Sequence, residues 1–353
     1  MLPPIVTTPM VLDWQCSRCT HCCRAWRVDV VPAALREMAL QCSEAGDLAE
    51  AVRLMAQHPT EQRLDGSCAL PMDAEGACLF LEGRRCGYRV KHGTSTLPAS
   101  CAKFPFVGVT TPKRRLLGLS FACPTALQAL LDEQRVELVE DYAGGPPTDV
   151  LTDFRGDGSP DQAAQAEAFW ELHWEWLSFA RSATSPPEQW LRTLAERASG
   201  LSLPSLQIGP SFWSLARFSR QAAAPLLAEG ASEQVLAAVF DAPGPAQASA
   251  DVEAAGADDS ILNRYLVHRL LVPEFLVTRA SLGRLLGVLF AIVARYRIER
   301  SRGHAPGRAI ANVDRLILHS DYHRTLFPDD VDEAVAWPSL ALLALVRQPT
   351  EQG

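Results

Sequence analysis

Apolar and polar positions change rhythm along this chain. Up to Cys123 the apolar residues come in short runs, and beyond it they recur every three or four positions. In the first part, residues 1–15 are rich in Pro and Thr and read as extended. The alternation Trp26-Arg-Val28-Asp-Val30 predicts a short strand. Pro32 is placed to open a helix over 33–42, and a second helix is expected from Asp47 to about Gln57. Between 60 and 123, Gly66, Pro71, Gly76, Gly83, Gly87, Gly93, Pro98, Pro105, Gly108 and Pro112 break any long period, which predicts loops and short strands.

After Cys123-Pro124 the pattern turns helical. Leu127, Leu130, Leu131, Val136, Leu138 and Val139 fit one helix running to about Tyr142. Gly144-Gly-Pro-Pro147, Gly156, Gly158 and Pro160 mark a linker over 144–160. Helices are predicted over 161–182, 187–199, 211–228 and 231–240, with Pro or Gly between them. The stretch 241–260, rich in Ala, Gly, Pro and Asp, reads as a flexible loop. Asp259-Ser260 caps a helix over 261–276, and helices over 278–300, 309–320 and 329–347 follow, the last kinked or split by Pro338.

Composition narrows the class. The 353 residues leave room for two or three domains. A hydrophobic content of 48% and a charged content of 21% are those of a globular protein. The net charge of −8 does not suit coating nucleic acid or an acidic membrane. Against that acidic total, Arg84, Arg85, Arg89, Lys91, Lys103, Lys113, Arg114 and Arg115 face only Glu82 between Cys78 and Cys123. Cations beside cysteines offset thiolate charge and lower thiol pKa, and such a patch also suits an anionic partner. Met1 to Trp14 shows no charged and apolar leader pattern. The apolar run Leu282–Ala294 is interrupted by Arg284 and falls short of the ~20 residues that span a bilayer. A cytoplasmic protein without a membrane segment is expected.

The cysteines carry the chemistry. There are ten, none beyond Cys123. Cys16, Cys19, Cys22 and Cys23 form C-x-x-C-x-x-C-C, and Cys78, Cys86, Cys101 and Cys123 follow as C-x7-C-x14-C-x21-C. In an unexported chain such usage points to metal or redox chemistry rather than structural disulfides. Thiolates are soft ligands suited to zinc or iron–sulfur clusters. Cysteines at every third position can aim three sulfurs at one centre, as in ferredoxin-type runs. A fourth ligand then comes from the later cysteines, since zinc takes four. The adjacent Cys22 and Cys23 leave two arrangements open: two metals, or one cysteine standing outside the first coordination sphere. His21 is an alternative ligand. Cys42 and Cys68 read as buried free thiols. The expected fold class is mainly α, with a loop-rich cysteine-cluster metal domain with short strands at 1–143, a linker at 144–160 and a multi-helix body at 161–353.

The ordered blocks Cys16-Ser-Arg-Cys-Thr-His-Cys-Cys23, Cys78-Leu-Phe-Leu81, Cys86, Cys101-Ala-Lys-Phe-Pro105-Phe and Ser120-Phe-Ala-Cys123-Pro124 resemble the CxxCxxCC cysteine-cluster family. The resemblance implies a zinc- or iron-chelating domain. It marks Cys16, Cys19, Cys22, Cys23, Cys78, Cys86 and Cys101 as cluster residues, and Cys123 with them. Ala102 departs from the arginine that many members carry there. Within that family, Cys22-Cys-Arg-Ala-Trp26-Arg-Val-Asp29 and Ile261-Leu-Asn263-Arg-Tyr265-Leu-Val-His268 are similar to flagellin lysine N-methylases. That likeness implies an S-adenosylmethionine-dependent protein lysine N-methyltransferase acting on a protein substrate, and it identifies no catalytic residue. The residues themselves show neither G-x-G-x-x-G nor the C-x-x-x-C-x-x-C of radical adenosylmethionine enzymes. The leading expectation is a metal-thiolate protein. The methyltransferase and a redox or iron-sensing module are the alternatives.

Three other features read as structural. His319 and His323 share a helix face without the glutamate of a zinc protease motif. Phe169, Trp170, His173, Trp174, Trp176 and Leu177 crowd one helix and predict a core seam rather than a stacking pocket. Arg264, Arg269, Arg279, Arg284, Arg295, Arg297, Arg300, Arg302 and Arg308 stud the late helices. With only three lysines in the chain, arginine is simply the preferred cation, and nucleic-acid binding is not expected.

Overall fold

The computed structural model describes residues 3–24, 28–30, 32–47, 49, 68–70, 72–73, 75–93, 97–140, 151–153, 160–199, 252–273 and 282–318. Helix predominates, accompanied by a small mixed sheet. The expected helices over 211–228, 231–240 and 329–347, and His319 and His323, lie outside the described residues, as does nearly all of the helix expected from Asp47. The chain forms two compact units. One, here the helical unit, comprises 1–13, 107–122 and 126–353, and the other, the cysteine unit, comprises 14–106 with 123–125. This division does not follow the expected domain boundary at 143, because strand pairing draws the first residues and the 107–119 hairpin into the helical unit.

The sheet of the helical unit runs in the order Val139–Glu140, Ile5–Thr7, Arg115–Leu119, Phe106–Thr110, Leu151–Asp153. Ile5–Thr7 lies parallel to Arg115–Leu119 and antiparallel to Val139–Glu140, and Leu151–Asp153 lies parallel to Phe106–Thr110. The central strands are rich in β-branched and aliphatic residues and are buried along almost their whole length. This is the signature of strands covered on both faces. Thr7 Oγ1 donates to the Leu117 carbonyl at 3.0 Å, which satisfies a buried hydroxyl. At Gly118 an added Cβ would stand 3.0 Å from a Val272 methyl, so glycine permits the close approach of the chain leaving helix Val252–Leu271.

Two stretches differ from their sequence reading. The helix after Cys123 spans only Pro124–Asp132, and Val139–Glu140 pairs with Val6–Thr7 instead of continuing it. Apolar residues at 136, 138 and 139 suit either state. The strand is favoured because it occupies the edge beside Ile5–Thr7 and pairs backbone groups there. The expected linker contains the strand Leu151–Asp153, for the same reason on the opposite edge. The late helices follow their periodicity. Pro160–Ser182, Pro187–Ser199, Leu282–Ser301 and Pro306–Leu318 match the expected segments closely. Val252–Leu271 begins inside the expected loop. Ala309, Ile310, Val313 and Asp314 are buried along one stripe of their helix. The aromatic helix forms a core seam, with Phe169, Trp170, Trp176 and Leu177 buried.

Buried polar groups tie these helices together. Asp314 and Arg269 are both wholly buried, 3.6 Å apart. Asp314 also accepts from Ser120 Oγ at 2.8 Å, Ala122 N–H at 3.0 Å and Tyr265 Oη at 3.0 Å. Burial, and then the Asp314 charge, hold the Tyr265 hydroxyl well above its ordinary range. Arg269 donates to the Leu119 carbonyl and lies over the Phe121 ring. Glu299 collects Arg295, Arg302, His304 and Asn312. Burial pushes its carboxyl up, but the hydrogen bonds from Asn312 and His304 and the Arg295 charge outweigh that and hold it low. Others of the late arginines also have internal partners: Arg297 pairs with Asp259 and Arg300 donates to the His304 carbonyl. No described helix is long and apolar enough to cross a membrane.

His173 is buried, and its Nε2 lies 2.6 Å from the Leu270 carbonyl, so that nitrogen carries the proton. Burial lowers its pKa from 6.5 to about 4. The unfolded chain therefore binds a proton that the folded chain refuses. The contribution of His173 is whole above about pH 6.5 and declines by about 3 kcal/mol as pH falls towards 4. In urea unfolding, His173→Gln is expected to flatten the stability slope over that window by about one proton. An unchanged slope would remove His173 as its source.

Candidate functional site

The cysteine unit is built on the helix Pro32–Glu44. Its Leu35, Met38, Ala39 and Cys42 pack with Val30, Leu70, Phe80 and Tyr88. Phe80 and Tyr88 meet edge to face with centroids 5.3 Å apart. Cys78, Cys86 and Cys101 are partly buried against this core. Among the described residues, Val28 and Leu97 are the further apolar side chains packed on it, and the unit's other elements are strands of two residues and helices of six residues or fewer. Unlike the helices of the other unit, such elements supply little order of their own.

Local geometry places each sulfur. Asp73 caps the turn before Cys78, its Oδ1 accepting from Ala77 N–H at 2.7 Å. Strands Leu81–Glu82 and Arg85–Cys86 form a hairpin whose turn needs Gly83, at φ +61°. That hairpin delivers Cys86 to the start of helix Gly87–His92, where its sulfur accepts from Arg89 N–H at 3.5 Å. Cys101 sits on the short helix Ala99–Lys103.

The C-x-x-C-x-x-C-C run is a loop leading into the single-turn helix His21–Arg24. Arg18 and Thr20 adopt left-handed conformations, at φ 57° and 64°. For a β-branched threonine this is costly and persists only when the surroundings impose it, a condition common at functional sites. The surroundings are visible. Arg84 Nε donates to the Arg18 carbonyl at 3.1 Å. Ser17 Oγ and Thr125 Oγ1 are 2.6 Å apart. The Cys23 carbonyl accepts from Cys78 N–H at 2.7 Å. Arg18 N–H points at the Cys16 sulfur, 3.4 Å away. The loop is thereby tied to the segments bearing Cys78, Cys86 and Cys123.

The sulfurs of Cys22 and Cys23 are 3.9 Å apart. The hydrogen bond from Cys23 lowers the Cys22 pKa to about 7 against the effect of burial. Cys23 is pushed up by that same hydrogen bond, by burial and by the charges of Cys22, Cys78 and Cys86. Cys22 is thus the thiolate of the pair and Cys23 keeps the proton. Cys78 and Cys86 are near enough to be felt electrostatically. Cys16 and Cys19 are exposed, and Cys123 is buried. Cys42 is a buried thiol as expected, 3.7 Å from His92 Nε2. Cys68 lies on a strand paired with Val30, and its side chain is outside the described residues.

Among the described residues, no three side chains of His, Cys, Asp or Glu stand in a ligating arrangement. The fit to a soft ion is chemical: several thiols, one readily ionised, with backbone N–H groups directed at two sulfurs. The network around Asp314 and Arg269 was not signalled by the sequence, where both are single charges on helical stretches. Comparison of the chain with protein-family models, curated proteins and solved structures found no match.

Proposed function

We propose that this chain is a metal-thiolate protein whose cysteine unit is ordered by zinc or an iron–sulfur cluster, in the manner of the CxxCxxCC family. Cys22, Cys23, Cys78 and Cys86 would be the inner donors, with Cys16, Cys19, Cys101 and Cys123 on the segments around them. The observation that carries this reading is that Cys23 feels the charges of Cys22, Cys78 and Cys86, while Cys78 and Cys86 pack against one small core. When bound, the ion would supply the cross-links between those segments that apolar packing does not. The side chains of Asn263, Tyr265 and His268, which carry the methyltransferase likeness, are occupied internally. Asn263 bonds Trp190 and Ser185, Tyr265 bonds Asp314, and His268 bonds Glu133. Those contacts favour a packing role for that helix.

Anaerobic purification followed by elemental analysis and a visible spectrum tests the proposal. Zinc or iron in near-integral ratio to protein is expected. The content should fall in Cys22→Ser and Cys78→Ser and hold in Cys42→Ser. Visible absorbance that bleaches on reduction would assign iron–sulfur chemistry and the redox alternative, and a colourless zinc protein would assign a structural ion. A folded, metal-free protein would overturn the reading.

A further inference from the structure

We propose that Cys22 and Cys23 form a reversible disulfide with each other on exposure to a peroxide, and that this oxidation discharges the ion held by the cysteine cluster. The discharge rests on the metal reading above, whereas the disulfide does not. Neighbouring side chains on a helix normally diverge by about 100°. Here the two sulfurs converge to 3.9 Å. Both cysteines are only partly buried, so a small oxidant can reach them. The helix that carries them is a single turn, closed by Cys23 N–H on the Thr20 carbonyl at 3.0 Å and entered through the left-handed Thr20. Unwinding it to admit the new bond sacrifices little.

The bond would also be easily undone. Adjacent Cα atoms stand about 3.8 Å apart. Unstrained disulfides prefer about 4.4–6.8 Å. A bond between neighbours is therefore strained, and strained, accessible disulfides are the labile and regulatory ones. In the reaction one sulfur, as thiolate, attacks a peroxide oxygen. The O–O bond breaks, a sulfenic acid forms, and the released hydroxide takes a proton to leave as water. The second sulfur then attacks the first, forming the S–S bond and expelling the sulfenic oxygen as a second water. Two thiols and one hydrogen peroxide become one disulfide and two waters, the sulfurs losing two electrons. Neither sulfur can then serve as a thiolate ligand.

The full-length protein, purified reduced and metal-loaded, is treated with equimolar hydrogen peroxide and its remaining thiols are alkylated. Peptide mass spectrometry and a chromogenic metal indicator are read together. The peptide holding Cys22 and Cys23 is expected unalkylated and lighter by two hydrogens, restored by dithiothreitol, with metal released in step. Cys42→Ser should behave as wild type, and Cys23→Ser should lose the internal bond. Peptides linking Cys22 or Cys23 to Cys78 or Cys86, or direct sulfinic acid formation, would overturn the vicinal disulfide. A vicinal bond with metal fully retained would overturn the discharge. A vicinal bond in a protein that carries no metal would uphold the disulfide and overturn the metal reading alone.

Discussion

Replacing Asp314 with alanine is expected to destabilise the helical unit by about 3–5 kcal/mol. The carboxylate is wholly buried and faces Arg269, also wholly buried. It is besides the shared acceptor for Ser120 Oγ, Ala122 N–H and Tyr265 Oη. Deleting it strands a guanidinium in the interior and leaves donors without their acceptor, each a recognised penalty. The pair as a whole is worth far less than its disruption, because bringing both charges out of water already cost much of their attraction. The double variant Arg269→Met with Asp314→Leu should therefore lose much less than the single one. Urea unfolding followed by tryptophan fluorescence measures both, since Trp176 and Trp190 are buried in this unit. A single-variant loss below about 1 kcal/mol, in the range of an exposed pair, would show that the interior there is wetter than the structure implies.

On the metal-thiolate proposal, removing the ion is the second large effect expected. Binding of structural zinc is worth about 10–16 kcal/mol in small thiolate domains, and there it is also the energy of folding. Among the described residues, the cysteine unit's core is helix Pro32–Glu44 with a few side chains around Phe80 and Tyr88. A chelator, or Cys78→Ser, should melt that unit while the helices Pro160–Ser182, Val252–Leu271 and Leu282–Ser301 persist. Limited proteolysis reads this directly. After chelation, new cuts should concentrate between Trp14 and Phe106, while the far-ultraviolet helical signal falls only slightly. Identical cleavage with and without chelator would mean that packing alone holds the unit together.

The parts legible in the sequence share a property: their determinants lie close together along the chain. Pro160–Ser182 and Pro306–Leu318 were visible because helical contacts link residues three and four apart. The grouping of Cys16, Cys19, Cys22 and Cys23 was visible because eight residues of chain cannot spread far. The strands Val139–Glu140 and Leu151–Asp153 were not, since two or three residues carry no period. Their partners at Val6 and Gly108 are remote in sequence or set by the sheet. No local pattern singled out Asp314 or Arg269 for the same reason: their meaning lies in each other.

By itself the amino-acid order determined a thiol-rich first third, a helical remainder and the residues able to act as soft donors. Only the tertiary structure decided that Cys78 and Cys86 pack beside Phe80 and Tyr88, that Cys42 is withdrawn into that core, and that residues 107–122 belong with the late helices. Covalent neighbours constrain one another through bond geometry, which composition and spacing reveal. Partners distant in sequence meet only when burial and strand pairing repay the entropy of closing the loop between them, and no local pattern records that balance.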